Sequence, residues 1–141
     1  MTQPVTILTI GHGDCGFGDI HELLRGASVS TIVDVRSVPY SRRAPDFTKD
    51  ELEGLAAASG LGYRWMGDRL GGRPSDPALH TAGGDPDFDR MRAHPAVTGA
   101  ITEVTALAAS GRVVLLCAES RPEACHRARL LAPLLEEAGH C

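Results

Sequence analysis

Lysine is almost missing from this chain: of its 14 basic residues Lys49 is the single lysine and all others are arginine. Arginine supplies a forked donor that is always charged, so the bias reflects either base composition or a need to hold anions. Long apolar runs are missing too. The longest spans about five residues, Val113 to Cys117, far short of the roughly 20 that a membrane-spanning helix requires. The opening Met-Thr-Gln-Pro has neither the basic segment nor the apolar stretch of a secretory signal, so a cytoplasmic address is expected. Cysteine is scarce. Cys15, Cys117, Cys125 and Cys141 are irregularly spaced and too few for a disulfide scaffold, and are expected as thiols, ligands or redox groups. There is no repeat, low-complexity tract or linker, so residues 1–141 read as one domain. A net charge of -4 excludes a global cationic field, and with it indiscriminate binding to nucleic acid or anionic membranes.

What is there is ordinary globular material, 43% hydrophobic and 23% charged, arranged as alternating strand-like and helix-like segments. Val5 to Ile10 reads as a buried strand. Phe17, Ile20, Leu23 and Leu24 follow at helical spacing up to Gly26. Thr31 to Val35 is a second strand and carries Asp34. Thr48 with Glu51 forms a capping-box pattern, opening a helix that runs to Gly60. Leu61 to Met66 is a third strand candidate. The stretch from Gly67 to Pro86 is rich in Gly, Pro and Asp and reads as a functional loop or lid. A helix around Val97, Ile101, Val104 and Leu107 precedes the strand Val113 to Cys117. Ser120 and Glu123 suggest a second capping box, before a final helix kinked at Pro133. Strands apolar on both faces, alternating with helices, predict an α/β fold with a mainly parallel sheet and helices on both sides.

In such sheets ligands bind outside the carboxyl ends of the strands. The residues expected there are polar and come from distant parts of the chain: His12, Asp34, Arg36, Arg42, Arg73, Cys117, Glu119, Arg121, Cys125, His126 and Arg127. The elements TIGH (Thr9 to His12), VDVR (Val33 to Arg36) with PYSRRAPDF (Pro39 to Phe47), LGGR (Leu70 to Arg73), and CAE with CHR (Cys117 to Glu119, Cys125 to Arg127) resemble, in order, the bacterial family catalogued as domain of unknown function 488. The resemblance covers the chain from about Thr6 to Gly139. It implies a single cytosolic α/β domain in which His12, Asp34, Arg36, Arg42, Arg73, Cys117, Glu119, Cys125, His126 and Arg127 are signature positions. Gly13 stands where the family usually has Ser after TIGH. Members typically continue past Cys141 into a short strand, so an edge strand of the sheet is expected to be missing. The DVR element with a strand-end Cys is also similar to rhodanese-type sulfurtransferases, which place an Arg about five residues after the Cys; here Arg121 follows by four and Arg127 by ten.

Each candidate has two readings. Cys117 ends an apolar strand ahead of a capped helix with Arg121 and Arg127 nearby, a setting that lowers a thiol pKa; it is equally the place of a small buried hydrophobe. Cys117, Cys125 and His126, completed by His12 or Glu119, form a possible metal set, although their spacing matches no standard zinc pattern. Asp34, inside a buried strand, needs a partner and is either a structural ion pair with an Arg or His12, or a tuned base. Tyr63 and Trp65 either pack in the core or stack a planar ring.

No cofactor is expected. There is no phosphate-loop signature. Gly11, Gly13 and Gly16 match the bare dinucleotide pattern with Asp34 about 20 positions on, but the resemblance does not support that use. The reading is an enzyme acting on a small anionic or phosphorylated, nucleotide-like substrate. Cys117 is the nucleophile, His126, Glu119 and His12 move protons, and Arg36, Arg42, Arg73, Arg121 and Arg127, with Asp34, bind substrate. The alternatives are a non-catalytic module for an anion or a nucleic-acid end, and rhodanese-like sulfur transfer. The partner is a small anionic ligand, and the sequence leaves the oligomeric state open.

Overall fold

The computed structural model describes residues 7–13, 16–40, 42, 44–71, 77–84 and 87–117. Four strands, β1 (Ile7–Gly11), β2 (Thr31–Asp34), β3 (Gly62–Trp65) and β4 (Val113–Cys117), form one sheet in the order β1-β4-β2-β3. Every pairing is parallel: Gly11 lies opposite Cys117, Asp34 opposite Leu116 on one side and Trp65 on the other. Parallel neighbours need crossover segments, and the helices supply them: α1 (Phe17–Gly26), α2 (Lys49–Ala58), α3 (Gly67–Leu70), α4 (Phe88–Ala93) and α5 (Pro95–Ser110). The α/β fold with a parallel sheet is the one its alternating pattern predicts.

Alternate residues of a strand point to opposite faces, and β4 shows why an unbroken apolar run is needed at the centre of such a sheet. Val113 and Leu115 join Ile7 and Val33 beneath Val97, Ala100 and Val104 of α5, Met91 of α4 and Leu70 of α3. Val114 and Leu116 face the other way, with Ile10 and Ile32, against Phe17, Ile20 and Leu24 of α1 and Leu52 and Ala56 of α2. Two cores therefore sandwich one sheet. All five residues of β4 are buried, whereas edge strand β3 alternates exposed and half-buried positions.

The local details depart from the sequence reading in three places. Thr48 does sit at the N-cap of α2, but its side chain makes no capping bond. It also closes a 3-10 turn, Pro45–Phe47, donating its N–H to Pro45, while the Lys49 N–H is satisfied by the Pro39 carbonyl at 2.9 Å. The incoming loop thus satisfies the first amide of α2, ahead of those a Thr48 side-chain cap would take. The Gly67 to Pro86 stretch begins with a helical turn, α3, and contains a 3-10 turn at Pro77–Leu79. Helix α4 carries only the short apolar pair Phe88 and Met91, and its start is marked by Asp87, whose side chain accepts from Arg90 N. The expected helix after Ser120 lies outside the described residues.

Candidate functional site

The carboxyl ends of β1, β2 and β4 come together because the strands are parallel and adjacent in the sheet. The His12 N–H, just past β1, donates to the Cys117 carbonyl at 3.0 Å, and Val35 N–H donates to Leu116 at 3.0 Å. His12, Asp34, Arg36 and Cys117 thus converge from three segments far apart in sequence, and all four are buried. Arg42 is described and exposed. Arg73, Glu119, Arg121, Cys125, His126 and Arg127 lie outside the described residues.

Asp34 is the hub. Its Oδ1 accepts from Arg36 Nε at 2.8 Å and from the Arg36 backbone N at 3.1 Å, while Oδ2 accepts from Arg36 Nη2 at 2.7 Å and from Tyr63 OH at 2.6 Å. The bond from the backbone N–H two residues on is an Asx-type turn, which brings the chain round so that an arginine meets an aspartate two positions earlier. With four donors on two oxygens, Asp34 takes the paired arrangement: the carboxylate is wholly buried, the guanidinium 4% exposed.

Tyr63 and Trp65 escaped the sequence reading as parts of this network. Both stand on β3, next to β2. Tyr63 completes the Asp34 shell, and Trp65 Nε1 donates to the Arg36 carbonyl at 2.8 Å. Their period-two spacing put them on one face; that the face meets the DVR element follows from the β2–β3 register alone. Burial pushes the Tyr63 phenol far above its usual range, reinforced by the bond to Asp34 and its negative charge, with Arg36 opposing.

His12 bridges to the other core. Its ring stacks on Phe47 with centroids 4.5 Å apart and planes 8° from parallel. Nδ1 lies 2.9 Å from Gly13 O, and Nε2 lies 3.5 Å from Arg36 Nη1. A guanidinium only donates, so this geometry assigns the proton to Nδ1 and the lone pair to Nε2.

Cys117 is disulfide-bonded, and the other three cysteines lie outside the described residues. In this state its sulfur is not a thiolate, the form that attacks an electrophile or binds a metal. Among the described residues no group of three or more His, Cys, Asp or Glu side chains is placed to hold a metal, and no helix is long and apolar enough to cross a membrane.

Fold and site together define an α/β protein with a buried, hydrogen-bonded Asp–Arg pair at the carboxyl edge of a parallel sheet. A family model described as Domain of unknown function DUF488 matches residues 17–134, and the chain belongs to that family. No curated protein and no solved structure matches it.

Proposed function

We propose that this edge is the active centre of a cytoplasmic enzyme that binds a small anionic or phosphorylated, nucleotide-like substrate and uses Cys117 as its nucleophile. One observation carries the reading: His12, Arg36 and Cys117 adjoin at the carboxyl ends of three parallel strands, where α/β sheets bind ligands. Asp34 and Tyr63 fix the Arg36 guanidinium, and Phe47 fixes the plane of His12. Such rigid placement is what lets donors act on developing charge without reorganising first. In this reading a cellular dithiol reduces the Cys117 disulfide, releasing Cys117 and its partner as thiols while the dithiol becomes a disulfide. The Cys117 thiolate then attacks an electrophilic centre of the substrate and displaces its leaving group, which His126 or Glu119 protonates, with Arg42, Arg73, Arg121 and Arg127 orienting charge. No metal, cofactor or nucleic acid enters the scheme.

The test is alkylation of Cys117, followed by mass spectrometry after dithiol reduction under native conditions. An activated thiolate gives a rate midpoint below the ordinary thiol value of about 8.5. A midpoint at or above it removes the nucleophile from the scheme. The disulfide itself favours the second reading, a non-catalytic module for an anion or nucleic-acid end in which Cys117 is a cross-link. A disulfide that yields to dithiol only when the protein unfolds supports that module instead.

A further inference from the structure

Among the described residues, Arg36 is not fully used. A guanidinium has five N–H donors. Nε–H and one Nη2–H go to Asp34, and Nη1 faces His12 Nε2 at 3.5 Å, the limit of a hydrogen bond. One N–H on Nη1 and one on Nη2 find no acceptor among the described residues, although the side chain is only 4% exposed. Buried donors are almost always satisfied, because leaving them bare forfeits hydration with nothing in return. Two such donors, on the two nitrogens that make the end-on edge of one held guanidinium, have no acceptor among the described residues and suit a ligand with two acceptors. The long contact to His12 yields to a shorter one at little cost.

The charge next to that edge narrows what the ligand is. Asp34 is itself fully buried and neutralises Arg36 at contact distance. The pair has no net charge, and a phosphate dianion set against Nη1 and Nη2 faces the Asp34 carboxylate through a poorly screened interior. A planar group with two adjacent acceptors matches the two nitrogens with less of that repulsion when it carries one negative charge, and with none when it is neutral. Resting on the reading of this edge as a substrate site, we infer that Arg36 holds, through Nη1 and Nη2, a planar two-acceptor group of the substrate: a carboxylate, or the O6/N7 edge of a purine base. Any phosphate on the same substrate is held by other residues.

Nitrogen-resolved spectra of arginine-labelled protein, with Arg36 assigned through its side-chain connectivity, test this without a substitution that risks the fold. Benzoate, guanosine and inorganic phosphate are added separately at equal concentration. Saturable shifts of the Arg36 Nη signals with benzoate identify the carboxylate source, and with guanosine the base edge. Nε stays nearly unmoved in either case because Asp34 keeps it. The inference is overturned if neither probe moves the Nη signals, if phosphate moves them as far, or if Nε moves with them, which reports loss of the Asp34 pairing. The readout does not involve Cys117, so an unreactive thiol defeats the enzyme reading and leaves this result standing on its own.

Discussion

Asp34 and Arg36, separated by a single residue at the end of β2, close on each other through two parallel contacts, Nε to Oδ1 at 2.8 Å and Nη2 to Oδ2 at 2.7 Å, in a place that neither exposes by more than 4%. Breaking one side of such a pair strands a buried charge. Asp34→Ala and Arg36→Met are each expected to cost about 3–5 kcal/mol, and Asp34→Ala with Arg36→Met clearly less than the sum. Urea unfolding of the three variants measures this. Additive losses would show that the two side chains do not act as a pair.

Tyr63 makes stability fall at alkaline pH. Its folded-state pKa lies above the unfolded value of about 10, so its contribution is complete below that value and is lost as pH rises beyond it. Between the two pKa values the unfolded chain releases a proton that the folded one retains. Tyr63→Phe is expected to cost about 1 kcal/mol at neutral pH through the lost bond to Asp34, and to decline less steeply above about pH 10. Denaturant midpoints from pH 8 to 11 compare the two proteins; parallel curves would place Tyr63 outside the titrating network.

Gly67 has no room for a side chain. A Cβ there would collide with the Arg36 carbonyl and lie 2.5 Å from Trp65 Nε1, the two groups that bond each other beside the site. Gly67→Ala is expected to lose about 1–3 kcal/mol. Gly54, exposed on α2 with nothing within 4 Å, is the control: Gly54→Ala should gain about 0.5–1 kcal/mol from helix propensity. Thermal midpoints moving the same way in both variants would defeat the steric account.

Helix α1 borrows its cap. Gly16 at its N-cap has no side chain, and Asp46, from the turn before α2, accepts the Phe17 N–H at 3.2 Å. Asp46→Ala is expected to cost about 0.5–1 kcal/mol, with amide exchange rising first at the start of α1. Unchanged exchange at Phe17 would contradict the shared cap.

The period of the apolar residues set most of the fold. Phe17, Ile20 and Leu24 repeat as one buried helix face and lie in α1, and Val113 to Cys117, apolar at every position, is the central strand. These patterns are local, since a residue's face follows from its place in a helix or strand. The short α4 carries too little apolar periodicity to be read this way, and at the start of α2 the first amide, that of Lys49, is taken by a distant carbonyl, Pro39, which local sequence does not reveal.

The residue types of the candidate site were equally legible, since His12, Asp34, Arg36 and Cys117 follow strands, and strand ends gather in a parallel sheet. Their pairings were not. That Tyr63 and Trp65 reach across from β3 and that Phe47 lies flat on His12 depend on strand register and on the path of one loop, whereas Asp34 turns back on Arg36 through a local Asx-type turn. Hydrogen bonds and ring contacts act over a few ångströms between residues far apart in the chain, 35 positions for His12 and Phe47, a proximity that no spacing along the chain encodes. Sequence determined which groups stand at this end of the sheet; tertiary structure decided which donors they use on one another, and which two of Arg36 find no acceptor among the described residues.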